Sequence, residues 1–299
     1  MAAKPNPGKR KKRGGFPPAT DAQPVRQTAS ASAPAPAPKR RWGLIALFLL
    51  ISVGGTYLAV WLKQGPGALK IGYEVVNTFP HDPTAYTQGL LWDDGMLYES
   101  TGQKGRSSIR KVDLETGDVI DKHDLSDEIF AEGLALAGDK FYQLTWKNNL
   151  ILVYDRAFEL LKKVPYDHDG WGLTFDGTHL IASDGTAYLR FLEPETLKEV
   201  RSVRVRIGNR PVGQLNELEM HGPDLYANVY QTDFIHWIDK TTGNVKATID
   251  LAGLWPLKTR PDRNAVLNGI AIDPKTQRMF VTGKDCPYLW EIKLVEKRE

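Results

Sequence analysis

The sequence is poor in the residues that build most small catalytic centres. A single cysteine, Cys286, occurs in 299 residues, so no disulfide can close within the chain and no cysteine-based zinc site can form. The six histidines, at positions 81, 123, 168, 179, 221 and 236, form no H-x₃₋₅-H or H-E-x-x-H pair, which removes the helical zinc-hydrolase pattern. A G-x-S-x-G elbow, a P-loop and a dinucleotide glycine fingerprint are also missing. The serine-hydrolase, NTPase and Rossmann readings go with them. No amphipathic helix of any length is visible after residue 71. The lone cysteine leaves the compartment open, because exported bacterial proteins and cytosolic proteins can both look this way.

What is present divides the chain in two. The overall charge of +3 conceals ten Lys/Arg against one Asp in residues 1–41, and 29 basic against 35 acidic residues in 63–299. The larger part is thus mildly acidic, which argues against a nucleic-acid surface. Residues 1–41 are rich in Pro, Ala and Lys/Arg and cannot bury enough apolar area to offset ordering, so they read as a disordered basic tail. Residues 42–62 (WGLIALFLLISVGGTYLAVWL) are uncharged. A helix of that length spans the roughly 30 Å hydrocarbon layer. Arg40 and Arg41 precede it, and Trp42, Tyr57 and Trp61 stand towards its ends, where interfacial aromatics belong. A cleaved signal would have an apolar core of about 7–15 residues and a small-x-small site. The run is longer and lacks one, so it is expected to be an uncleaved anchor. The basic tail then lies in the cytoplasm, a short linker covers 63–70, and the rest is periplasmic on the inner membrane.

From residue 71 onward, short runs of Val, Ile, Leu, Tyr and Phe alternate with turn signals such as Asp94-Gly95, Gly138-Asp139 and Thr242-Gly243, which predicts an all-β domain. Five segments share one pattern and start at Gln88, Glu132, Trp171, Asn216 and Asn268, separated by 44, 39, 45 and 52 residues. A four-stranded propeller blade needs about 40–50 residues. In most repeats a third strand follows and ends on an acidic residue. The fifth repeat runs out after its third strand, and residues 71–79 (IGYEVVNTF) can supply the fourth, closing the ring and removing a free edge. The expected fold is a five-bladed β-propeller over 71–295, preceded by the tail and one transmembrane helix.

First strands of blades line the propeller axis, so the five repeat starts converge there. None is aliphatic. Glu132 is the only acid among them, and a carboxyl walled by rings has its pKa raised, which suits proton transfer near neutrality. Trp146 and Tyr230 stand fourteen residues past two of the starts, with Lys284 sixteen past a third, as a wall around the same mouth. Glu217 and Glu219 alternate with Leu218; one of them could face the channel, but solvated blade surface is the expected place for both. His81 is expected in a turn.

Blocks FPHDPTAYTQGL (79–90), ESTG (99–102), SSIRKVDLETG (107–117) and FAEGLAL (130–136) resemble the plant and bacterial type of glutaminyl cyclase, as do LNELE (215–219), NVYQTD (228–233), VLNGIA (266–271) and FVTGKDCPYLWEI (280–292). The resemblance implies a five-bladed propeller that converts the N-terminal glutamine of peptides or proteins to pyroglutamate with release of ammonia, with no cofactor and no catalytic metal. A monomer is expected. It implies Glu132 as general acid/base. It also implies that Tyr86, Gln88, Phe130, Trp146 and Trp171 form the substrate pocket, and that Asn216 and Lys284 bond to or polarise substrate oxygens. Tyr230 departs from the tryptophan usual at its position, and Cys286 stands where an aromatic is common.

Two rivals follow from the residues. A calcium-dependent lactonase-type propeller would draw oxygen ligands from Glu132, Asn216, Asn268 and Asp184. A non-enzymatic envelope propeller would bind peptides without chemistry.

Overall fold

A strand in this chain rarely exceeds seven residues, and an acid-anchored turn repeatedly follows the third strand of a group. Asp113 Oδ1 accepts the backbone N–H groups of Glu115 and Thr116 at 3.0 and 2.9 Å, and Gly117 completes the turn at φ 73°. Asp239 does the same for Thr241 and Thr242, with Gly243 at φ 73°. The recurrent acid is therefore a turn-former whose carboxylate satisfies N–H groups that have left the ladder.

The computed structural model describes residues 68–296. The basic tail, the apolar run of 42–62 and the linker up to residue 67 lie outside the described residues. Among the described residues no helix is long and apolar enough to cross a membrane.

The described residues open with β1 (Leu69–Pro80), two residues earlier than expected, and then build antiparallel blades. Blade 1 is β2 (Thr87–Asp93), β3 (Met96–Thr101), β4 (Ser108–Val112) and β5 (Val119–Asp124). Blade 2 is β6 (Ala131–Ala137), β7 (Lys140–Thr145), β8 (Leu150–Tyr154) and β9 (Leu160–Pro165). Blade 3 is β10 (Leu173–Phe175), β11 (Leu180–Ser183), β12 (Tyr188–Leu192) and β13 (Glu199–Arg204). After a small hairpin, β14 (Arg206–Ile207) and β15 (Arg210–Pro211), blade 4 follows as β16 (Leu215–His221), β17 (Asp224–Val229), β18 (Phe234–Asp239) and β19 (Val245–Asp250). Blade 5 holds β20 (Leu267–Ile272), β21 (Met279–Gly283) and β22 (Tyr288–Glu296).

The fourth strand of blade 5 is β1, antiparallel to β22 from Ile71↔Glu296 to Pro80↔Tyr288. Its first residues also run parallel to β19, from Leu69↔Ala247 to Ile71↔Ile249, so blades 4 and 5 merge into one eight-stranded sheet. The first strands touch in the cycle β2, β6, β10, β16, β20 and back to β2. That cycle is a closed ring, so the fold is an all-β propeller.

The core lies between blades. Phe141, Leu152 and Tyr154 of blade 2 pack on Tyr98 and Ile109 of blade 1. Phe280 of blade 5 stacks on Trp92 at 5.1 Å between ring centres, and meets Phe79 of β1 edge-on. The seam where β1 closes the ring also carries a buried polar cluster. Glu99 accepts two bonds from Arg110, at 2.8 and 2.6 Å, and contacts His81 Nε2 at 3.2 Å. His81 Nδ1 meets the Cys286 carbonyl at 2.6 Å, and Arg110 reaches Asp82 at 2.8 Å. His81 thus lies in the expected turn, and it also ties that turn to blades 1 and 5.

Glu217 and Glu219 depart from expectation: their exposures are 0% and 9%, and both accept backbone N–H groups of other blades. Four blades carry a glycine after the repeat start, namely Gly89, Gly133, Gly172 and Gly269, and blade 4 carries Glu217. A Cβ at Gly133 would come within 2.3 Å of Leu173 N, so the strands meet too closely there for any side chain. The space those glycines leave admits one carboxyl. Glu217 accepts from Leu90 N at 3.2 Å and Ile270 N at 2.9 Å, which joins blade 4 to blades 1 and 5 at the hub.

Candidate active site

The repeat starts owe their orientation to β-bulges. The register slips between Thr87 and Gly89 in β2, Ala131 and Leu134 in β6, Leu215 and Leu218 in β16, and Leu267 and Ile270 in β20. Gln88, Glu132, Asn216 and Asn268 fall in these slips, where two residues oppose one and the side chain is re-aimed. Trp171 occupies the corresponding place just before β10, with its N–H bonded to the Ser183 carbonyl. Backbone groups freed by the bulges are taken up locally: the Glu132 carbonyl accepts from Ser100 Oγ, and the Gly133 N–H donates to the Trp171 carbonyl.

A cavity of about 310 Å³ opens at this end of the axis. Its wall includes Glu132, Tyr86, Gln88, Phe130, Trp146, Trp171, Asn216, Tyr230 and Lys284, all expected from the sequence. The rings form an arc by edge-to-face contacts. Trp146 meets Phe130 at 5.4 Å, Phe130 meets Tyr86 at 6.1 Å, and Tyr230 meets Trp171 at 5.7 Å. Lys284 Nζ fills the break in the arc, 4.8 Å from the Tyr86 ring centre and 5.1 Å from that of Tyr230. Such an ammonium is held by the negative faces of both rings.

Glu132 is 5% exposed, and its Oε1 accepts one hydrogen bond, from Gln88 Nε2 at 2.9 Å. Burial pushes its carboxyl well above the usual carboxylate range; the Lys284 charge opposes this and Asp169 adds to it. Burial lowers Lys284 to about 8, against the pull of Glu132 and Asp285. An acid moved up and an amine moved down, facing one cavity, can each exchange a proton near neutral pH. Asn216 is buried and its Oδ1 has no hydrogen-bond partner, so an acceptor is available to a ligand.

Three placements differ from the sequence reading. Asn268 does not line the cavity; it stands behind Gln88, fully buried, and donates to the Thr87 carbonyl and Gln88 Oε1. Gln103 and Asn264 line the cavity and were missed. Gln103 follows Gly102, where a Cβ would come within 2.5 Å of the Phe130 ring, so the polar wall residue is shifted one place along the repeat. Asn264 belongs to the stretch between β19 and β20, and the 52-residue interval before Asn268 was the available signal of an insertion.

The oxygen set of the lactonase alternative does not meet in this cavity: Glu132 and Asn216 line it, whereas Asp184, paired with Arg190 at 3.0 Å, and Asn268 do not.

Comparison with known proteins agrees with this architecture. The sequence profile of the glutamine cyclotransferase family matches residues 49–294. A glutaminyl-peptide cyclotransferase of Arabidopsis thaliana is 45% identical over 283 residues, covering 89% of this chain and 88% of the plant protein. The crystal structure of Myxococcus xanthus glutaminyl cyclase superposes with a TM-score of 0.71 at 34% identity, covering 77% of this chain and all of the bacterial one.

Proposed function

The chain belongs to the glutamine cyclotransferase family and is a glutaminyl-peptide cyclotransferase, and from that premise we propose that Glu132 moves the protons of the reaction. The substrate's free α-amine attacks the carbon of its own side-chain amide. A C–N bond forms, the carbonyl becomes an oxyanion, and the amine must lose a proton. Glu132, ionised, takes that proton and delivers it to the amide nitrogen. The old C–N bond then breaks, ammonia leaves and pyroglutamate remains. One carboxyl serves as base and then acid, so it ends as it began.

The rest of the site holds a cyclising conformer, because in an intramolecular reaction most of the advantage lies in geometry. The aromatic arc presents flat apolar walls to the folded side chain. Lys284, protonated, donates to the developing oxyanion. The unpartnered Asn216 Oδ1 receives an N–H of the substrate. The observation that carries the assignment is the buried Glu132 carboxyl, bonded to Gln88 and lining one cavity with Lys284, whose charge acts on it. An ammonia-release assay on Gln-initiated peptides with the full-length chain and Glu132→Gln tests it.

We further infer that residues 42–62 anchor the enzyme as a single-pass segment, with the basic tail cytoplasmic and the propeller periplasmic, acting as a monomer on the N-termini of exported chains. The 21 uncharged residues and the preceding arginines support the anchor and its orientation. Protease accessibility of the propeller in intact spheroplasts, with the tail protected, is the check.

A further inference from the structure

Asn268 sits one layer below the cavity, and only one end of its amide is satisfied there. Its Oδ1 is buried without a partner, an arrangement that costs stability relative to an apolar residue of similar shape. The other end of the amide is fixed. The Thr87 carbonyl can only accept, so the group 3.0 Å from it is Nδ2. The same NH₂ faces Gln88 Oε1 at 3.4 Å. Gln88 therefore turns its oxygen to Asn268 and its NH₂ to Glu132 Oε1. This series of donors starts at a backbone group that cannot flip and ends on the carboxyl of the reaction.

We propose that Asn268 is a positioning residue for the cyclisation: through the Gln88 amide it commits Oε1 of Glu132 to a standing hydrogen bond and leaves the other oxygen to exchange the proton with substrate. The inference rests on the role assigned to Glu132. Without Asn268, Gln88 is free to turn by half a rotation and set its own oxygen against Glu132. That orientation opposes the ionised form and removes the distinction between the two oxygens. The other groups facing Glu132 are Lys284 after β21, Asp169 before β10 and the Tyr86 hydroxyl before β2, with Asp285 acting on Lys284. None of them contacts Asn268 through a hydrogen bond, so a change on substituting Asn268 is assigned to Gln88.

The test is the pH dependence of kcat and KM on a Gln-initiated peptide, using the full chain and the variants Asn268→Ala, Gln88→Met and the double variant. Asn268→Ala should lower kcat about tenfold, the scale of one hydrogen bond to a charged group, with KM changed less than about threefold. Its acid limb should move to higher pH. Gln88→Met should show the same shift, and the double variant should be no slower than Gln88→Met alone, because the two residues act in series. An unmoved acid limb in Asn268→Ala, or losses that multiply in the double variant, would overturn the proposal. If Asn268→Ala does not fold, the near-isosteric Asn268→Leu takes its place, and an unmoved limb there overturns the proposal equally. Failure of the underlying reading appears separately, as turnover retained in Glu132→Gln.

Discussion

The Lys284 ammonium lies 5.1 Å from the centre of the Tyr230 ring, which packs edge-to-face with Trp171 at 5.7 Å between ring centres. Tyr230 therefore links the charged and aromatic parts of the cavity wall. Tyr230→Ala removes the ring that holds Lys284 and exposes Trp171. Since a desolvated cation–ring contact is worth about 2 kcal/mol, kcat/KM should fall at least about tenfold. Tyr230→Trp keeps the ring and should stay within about threefold of the parent. Steady-state kinetics on Gln-initiated peptides distinguishes the two outcomes.

Proton transfer sets a bell-shaped profile. Glu132 must be ionised to accept the amine proton, and burial raises its pKa, so kcat falls as pH drops through that raised value. Lys284 must be protonated to meet the oxyanion, and its pKa is lowered to about 8, so kcat falls again as pH rises through about 8. Lys284→Arg keeps a charge throughout this range and should abolish the alkaline limb, read from the kcat–pH profile with substrate saturating at each pH.

The closing seam predicts acid sensitivity. Glu99 is buried, and although desolvation works against it, Arg110 and His81 hold its carboxyl well below the usual range. Its contribution to stability is present above the unfolded-state value of about 4.3 and is lost as pH falls through the folded value. His81 runs the other way. Burial lowers it, Glu99 and the Cys286 carbonyl outweigh that, and the net shift is upward. Its contribution is present below about 6.5 and fades as pH rises through the folded value. Glu99→Gln leaves Arg110 buried and half-paired and should cost about 3–5 kcal/mol at pH 7 in denaturant unfolding.

Glu217 predicts a contrast at the hub. Glu217→Ala leaves the Leu90 and Ile270 N–H groups without their acceptor, at about 1–3 kcal/mol for each buried group. Glu217→Gln keeps one acceptor oxygen. Burial and then Glu219 raise the parent carboxyl well above its usual range, so Glu217→Gln gives up little charge, and its cost is the one N–H that its NH₂ group cannot accept. Thermal unfolding at pH 7 should show Glu217→Ala well below Glu217→Gln.

Much of this architecture was legible in the sequence because a propeller repeats. The shared start of five segments located Gln88, Glu132, Trp171 and Asn216 at one mouth, and the short fifth repeat identified the closing strand. Other features were not legible because they depend on register. Period-two alternation reads the two faces of a strand but does not reveal a bulge. Glu217 therefore looked like a solvated acid, whereas at the slip between Leu215 and Leu218 it accepts the backbone N–H groups of Leu90 and Ile270. Asn268 shared the repeat position and was expected at the wall, but the Thr87 carbonyl holds its amide back. Gln103 and Asn264 come from loops, where the repeat imposes no spacing.

The central claim is that Glu132 carries the protons of cyclisation. Its most direct test is ammonia release from a Gln-initiated peptide by the full-length chain and by Glu132→Gln, with matched unfolding curves. Glu132→Gln should lose about a hundredfold or more in kcat, the scale of general acid–base catalysis, while KM stays within a few fold. A folded Glu132→Gln that turns over at near the parent rate would contradict the account.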